Sequence, residues 1–204
     1  AFAAVNLIMP VPMLVGTVGF MLGTGGSAIV GITLGEGDNA KADRYFSLFM
    51  SPALIAGIVL SVLGMLLLRP VAMMLGAEGE MLDYALRYGR VLMLSLPTFI
   101  LQNMFQSFFV TAEKPHLGFY FTVCAGCTNM VLAVLLVGIL HWSVEGAAIA
   151  TMLSQVVGGL LPVFYFLNRN NTSRIHLCRP RFEGKVLLNA CINGSSELMT
   201  NLSM

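Results

Sequence analysis

Uncharged apolar runs recur along this chain, and no other feature restricts its fold so strongly. They cover residues 1–35, 45–68, 91–112, 117–140 and 146–168, and a sixth begins near 186 and is broken only by Glu197. A membrane-spanning helix needs about 20 largely apolar residues, because the hydrocarbon core is about 30 Å thick and each residue rises about 1.5 Å. Six such runs in 204 residues leave room only for short connections. The runs are too long, and too free of period-two alternation, for the strands of a membrane barrel. The predicted fold is all-α, a polytopic transmembrane helix bundle. Composition agrees: 57% of the residues are hydrophobic and only 10% are charged, with a mean hydropathy of +0.83. An ordinary soluble domain carries about a quarter charged residues. Nucleic acid is excluded as a partner, because the few basic residues are separated by long apolar stretches.

The charges sit in the connections, and they alternate in character. Residues 36–44, 113–116 and 169–185 hold Lys41, Arg44, Lys114, Arg169, Arg174, Arg179, Arg181 and Lys185. The opposite connections and helix ends, near 69–90 and 141–145, hold only Arg69, Arg87 and Arg90. An excess of Lys and Arg marks the cytoplasmic side of a membrane. The first helix is therefore expected to run inward and loop 169–185 to be cytoplasmic, in a multi-pass protein of the cell membrane. Ala1 opens the chain without a methionine and Met204 falls inside an apolar run, so both ends are expected to be truncated. No cleavable signal sequence is visible.

Small residues and prolines give the bundle its expected packing. Gly19, Gly23, Ser27, Gly31 and Gly35 recur every four residues on one face of the first helix, the spacing that lets membrane helices approach closely. The GTGGS stretch (23–27) lacks the Lys-Ser/Thr pair of a phosphate-binding loop. Pro10, Pro12, Pro52, Pro97 and Pro162 fall inside the apolar runs, where they either kink packed helices or line a cavity.

Catalysis and metal binding find no support. Cys124 and Cys127 read as C-x-x-C but lie in an uncharged run with no third ligand nearby, so they are expected to be small packing residues of a helix. Cys178 and Cys191 complete no framework, and His116, His141 and His176 fall in loops or at helix ends.

The polar groups at membrane depth carry the functional candidates. An ionisable side chain there costs about 2.5–3.5 kcal/mol on insertion scales and is a functional candidate by default. Glu197 lies about 16 Å into the sixth segment by helical rise. Asn189, Asn193, Glu197 and Asn201 repeat at four-residue spacing, so that face is expected to turn to a partner helix or a watery cavity. Desolvation and any neighbouring cation compete over the charge of such a carboxyl, and that competition is the physical basis of ion coupling. The alternative is a buried acid held by adjacent amides for packing. On the other spans, Gln102, Asn103, Gln106, Asn129, Thr151 and Gln155 are either interhelical hydrogen-bonding groups or cavity lining. Ser95, Thr98 and Ser154 accompany them.

Several stretches resemble one transporter family. LGTGGSAIVGITLGEGDNAKADRYF (22–46), MLGAEGEMLDYALRYGRVLMLSLP (74–97), AEKPHLG (112–118) and VEGAAIATMLSQ (144–155) are similar, in order and spacing, to the multidrug and toxic compound extrusion (MATE) family. The resemblance implies a 12-helix exporter of two six-helix bundles that expels organic, often cationic, drug-like compounds in exchange for protons or sodium ions. No cofactor is implied beyond that coupling cation. Residues 1–168 would be helices two to six of the amino-terminal bundle, 169–185 the inter-bundle loop, and 186–204 the start of helix seven. Asn129 falls on the Asn of the family's helix-five N-x-x-x-D pattern, and Thr151 on the Thr of its helix-six motif. The Asp of that pattern is replaced here by Ala133. The departure shifts the expected coupling role toward Glu197, with Asn193 and Asn201 beside it. A related flippase for lipid-linked sugars is the alternative; it needs Lys or Arg at depth to grip phosphate, and the apolar runs hold none.

Overall fold

The computed structural model describes residues 9–168, 175–178 and 183–203. Six long helices follow one another: α1 (Pro10–Gly35), α2 (Asn39–Met74), α3 (Glu80–Thr111), α4 (Pro115–Ala133), α5 (Ser143–Leu167) and α6 (Gly184–Ser203), with α4 continuing as a π-helical segment, Val134–Ile139. The described residues contain no strand. Five of the helices, α1 to α5, are long and apolar enough to cross a membrane. The helix α6 is not among them, since its amides, hydroxyls and Glu197 lower its hydropathy.

The helices are longer than the uncharged runs. α2 begins at Asn39 and continues to Met74, and α3 begins at Glu80, so Lys41 and Arg44 lie on a helix rather than in a loop, and Arg69, Arg87 and Arg90 stand on the ends of helices. Charge marks where a chain leaves hydrocarbon, whereas backbone hydrogen bonding carries a helix on into the headgroup region. The connections are correspondingly tight. Gly37, with φ 84°, closes α1 through the bonds Gly37 N–H to Leu34 C=O and Asp38 N–H to Thr33 C=O. This left-handed turn satisfies the last carbonyls of a helix. Asp38 then caps α2 by accepting from the Lys41 N–H at 3.0 Å. Pro10 opens α1 and Pro12 stands in its first turn, where a missing N–H is harmless; neither sits in a helix interior as expected. Pro52, Pro97 and Pro162 do.

The helix α3 lies at the centre of the bundle and packs against α1, α2, α4 and α5, while α1 also packs on α6 and α4 on α5. Glycines permit that. A Cβ at Gly19 would lie 2.5 Å from the Ile100 carbonyl oxygen, at Gly57 2.6 Å from the Pro97 Cα, and at Gly159 2.5 Å from the Thr98 carbonyl oxygen. Of the predicted stripe, Gly23 and Gly31 also face α3, while Gly35 meets nothing. The helix α4 is peripheral: α5 covers one side, and Ala125 is its one buried residue among those described. Cys124 and Cys127 are therefore exposed rather than packed, because α4 turns that face away from its neighbours.

One end of the bundle, where residues 36–38 and 112–114 lie, is an aromatic cluster. Phe46 of α2, Phe105 and Phe109 of α3 and Phe166 of α5 are all buried. Phe46 and Phe166 approach to 4.9 Å between ring centroids, Phe109 and Phe166 to 5.1 Å, and Phe105 stacks on Phe166 at 5.7 Å. In lipid, where apolar burial gives no driving force between helices, such packing contacts hold the bundle together.

Candidate functional site

The middle of the bundle is polar where α3, α4 and α5 meet. Asn129 of α4 donates one amide hydrogen to Ser154 Oγ at 3.2 Å and another to Thr151 Oγ1 at 3.4 Å. Both hydroxyls can accept because their own protons are used on α5: Thr151 donates to the Ala147 carbonyl at 3.0 Å, and Ser154 to the Thr151 carbonyl at 2.8 Å. The one-turn spacing of α5 thus turns two ordinary hydroxyls into a matched pair of acceptors. Gln155, one turn beyond Thr151, is met by the Ser95 hydroxyl of α3. Tyr88, only 1% exposed, sets its phenol beside Thr151. Among the described residues, Asn129 Oδ1 accepts no hydrogen bond, and no acidic or basic side chain joins the cluster. Ala133 stands one turn along α4, immediately before the π-helical segment.

The other predicted residues go to different places. Gln102 and Gln106 line a narrow cleft of about 10 Å³ between α3, α4 and α5, with Thr122, Gly158 and Pro162. That volume is at the threshold for one water molecule. Gln102 is seated by Gly158, where an added Cβ would come within 2.8 Å of its amide carbon. Asn103 turns the other way: it is buried against α1 and donates to the Gly16 carbonyl at 3.3 Å, so it clasps two helices. Asn189 and Asn193 of α6 lie across the bundle, in an open groove of about 340 Å³ with Ile29, Tyr45, Val186 and Ile192. Glu197 and Asn201 continue α6 one and two turns beyond Asn193, and their side chains lie outside the described residues. The candidate residues are therefore dispersed: a central cluster around Asn129, the cleft of Gln102 and Gln106, Asn103 against α1, and Asn189 and Asn193 in the groove beside α6. The pairing of Ser95 with Gln155, and Ser154 as the second acceptor for Asn129, escape pattern reading; the only available signal is that Thr151, Ser154 and Gln155 share one face of α5.

Long apolar helices around a polar centre define a multi-pass membrane transporter fold, and the comparisons with known proteins agree. A family model, MatE, matches residues 1–135, and the chain belongs to that family. It is 28% identical over 170 residues to "Multidrug export protein MepA" of Staphylococcus haemolyticus, covering 83% of this chain and 38% of the relative. It is 27% identical over 183 residues to the protein of the same name in Staphylococcus saprophyticus, covering 89% and 41%. Among solved structures, an inward-facing multidrug resistance MATE family transporter superposes with a TM-score of 0.92 at 25% identity, over 98% of this chain and 46% of that one. The outward-facing conformation of such a transporter superposes at 0.90 and 25% identity, over 99% and 45%. The chain thus spans less than half the length of the relatives it matches, and its helices form most of one lobe of a MATE transporter.

Proposed function

We propose that this chain is part of a secondary multidrug exporter of the cell membrane, which expels organic, often cationic, compounds in exchange for protons or sodium ions. Residues 1–168 serve as the amino-terminal bundle, 169–185 as a cytoplasmic connection between bundles, and 186–204 as the start of the second bundle. The observation that carries this reading is the Asn129 cluster, a neutral hydrogen-bonding centre held at mid-depth between α4 and α5. Its amide oxygen, which accepts no hydrogen bond among the described residues, can accept from a drug N–H or face a cation, while the described residues of the cluster include no Lys or Arg to grip the phosphate of a lipid-linked sugar. Supporting it, the fold matches inward- and outward-facing transporters almost equally well, as expected if this half moves as a unit and access alternates by rocking of bundles.

With Ala133 in place of an acid beside Asn129, coupling rests on Glu197, with Asn193 and Asn201 completing its face. The test is drug transport by the full-length protein in proteoliposomes under imposed pH or sodium gradients. Glu197→Gln is expected to remove the dependence of efflux on the driving gradient. Efflux and ion dependence unchanged in that variant would contradict the assignment.

A further inference from the structure

Residues 175–178, on the path from α5 to α6, are clasped between the ends of α2 and α5. Ile175 is fully buried in the aromatic cluster. Beyond it the backbone bonds alternate in direction. The His176 N–H donates to Asp43 Oδ1 at 2.7 Å, the Leu177 N–H to the Phe166 carbonyl at 3.1 Å, and the Cys178 N–H to Ser47 Oγ at 2.8 Å. This alternation has a geometric basis. Side chains four apart on a helix stand about 5–6 Å from one another, and alternate residues of an extended segment repeat at about 6.6 Å. Asp43 and Ser47 therefore read the segment as a neighbouring strand would. Ser47 donates its own proton to the Asp43 carbonyl at 2.8 Å, which leaves its lone pairs for Cys178. A further tie follows at the start of α6, where Tyr45 Oη donates to Glu183 at 3.4 Å.

We propose that Asp43 and Ser47 are positioning residues: they keep 175–178 a fixed part of the first bundle throughout transport, so that the connection to the second bundle starts after Cys178 rather than after Leu167. This rests on the exporter reading above.

The experiment uses the full-length protein with Cys124, Cys127 and Cys191 replaced by serine and Ser47→Cys added. Ser47 Oγ stands 3.7 Å from Cys178 Sγ, within reach of a disulfide after a small rotation. Oxidation is expected to cross-link the pair and to leave drug uptake into proteoliposomes at or above the rate of the reduced variant. Failure to cross-link, or uptake lost on oxidation and regained with dithiothreitol, would overturn the proposal. In a second arm, Asp43→Ala in the native-Ser47 background is expected to raise maleimide labelling of Cys178 about tenfold, the shift that one lost hydrogen bond brings. Asp38→Ala, which removes the cap of the same helix but touches nothing in 175–178, should leave that labelling unchanged. Equal labelling in the two variants would also overturn it. Should the unmodified protein transport no drug, the exporter reading fails, while cross-linking and labelling still decide where 175–178 is held.

Discussion

Along α3, the half around Ser95 and the half around Phe105 meet the same neighbour, α5, with opposite chemistry. Near Ser95 the contact is a network of amides and hydroxyls that reaches Gln155, Thr151, Ser154 and Asn129. Near Phe105 it is a stack of rings closed by Phe166, which is fully buried. Between them, Gly158 and Gly159 bring the two helices to their closest approach, against Gln102 and Thr98. The difference teaches a division of labour. Polar contacts between membrane helices average well under 2 kcal/mol each, so the ring end holds the helices together. The polar end is then free to be only partly satisfied, which is what a binding site requires.

This comparison can be broken from either side. The largest effect is expected from Phe166→Ala, which empties the centre of the ring cluster. By analogy with buried aromatic truncations it should cost about 3–5 kcal/mol, read by unfolding of the full-length protein in detergent, with drug selectivity unaltered. Next comes Ala133→Asp. A carboxylate placed beside Asn129 should destabilise by about 2.5–3.5 kcal/mol when ionised. Because low dielectric favours the protonated acid, the loss is fully present at high pH and shrinks as pH falls, which thermal unfolding across a pH series would reveal. Asn129→Ala and Gln155→Leu each remove weak interhelical bonds and should cost only about 1 kcal/mol. The smallest effect is expected for Cys124→Ser and Cys127→Ser on the exposed face of α4, within about 0.5 kcal/mol of the parent. A large loss there would mean that this face is covered in the full-length protein.

The sequence carries the helices because membrane insertion is written in local hydropathy, and the glycine repeat at 19, 23 and 31 finds its partner α3 as its spacing implies. Helix ends are less well marked, since Asn39–Arg44 and Glu80–Arg90 are polar yet helical. Contacts between distant segments leave no local pattern at all. The tightest approaches at the described glycines show this: a Cβ on Gly25 would fall 1.9 Å from the Ala190 carbonyl oxygen, and one on Gly194 2.0 Å from that of Met21. Neither Gly25 nor Gly194 belongs to the repeat. Asn103 is the converse case, an amide that sequence alone groups with Gln102 and Gln106 although the helix turns it nearly a third of a turn away, against α1.

The claim on which the rest turns is that the Asn129 cluster binds the transported compound rather than merely joining α4 to α5. Equilibrium binding of a transported drug to the purified full-length protein, followed by fluorescence for the parent and for Asn129→Ala, addresses it directly. The account predicts a Kd weakened about tenfold, the equivalent of one hydrogen bond, while unfolding changes little. An unchanged Kd in a folded variant would contradict it.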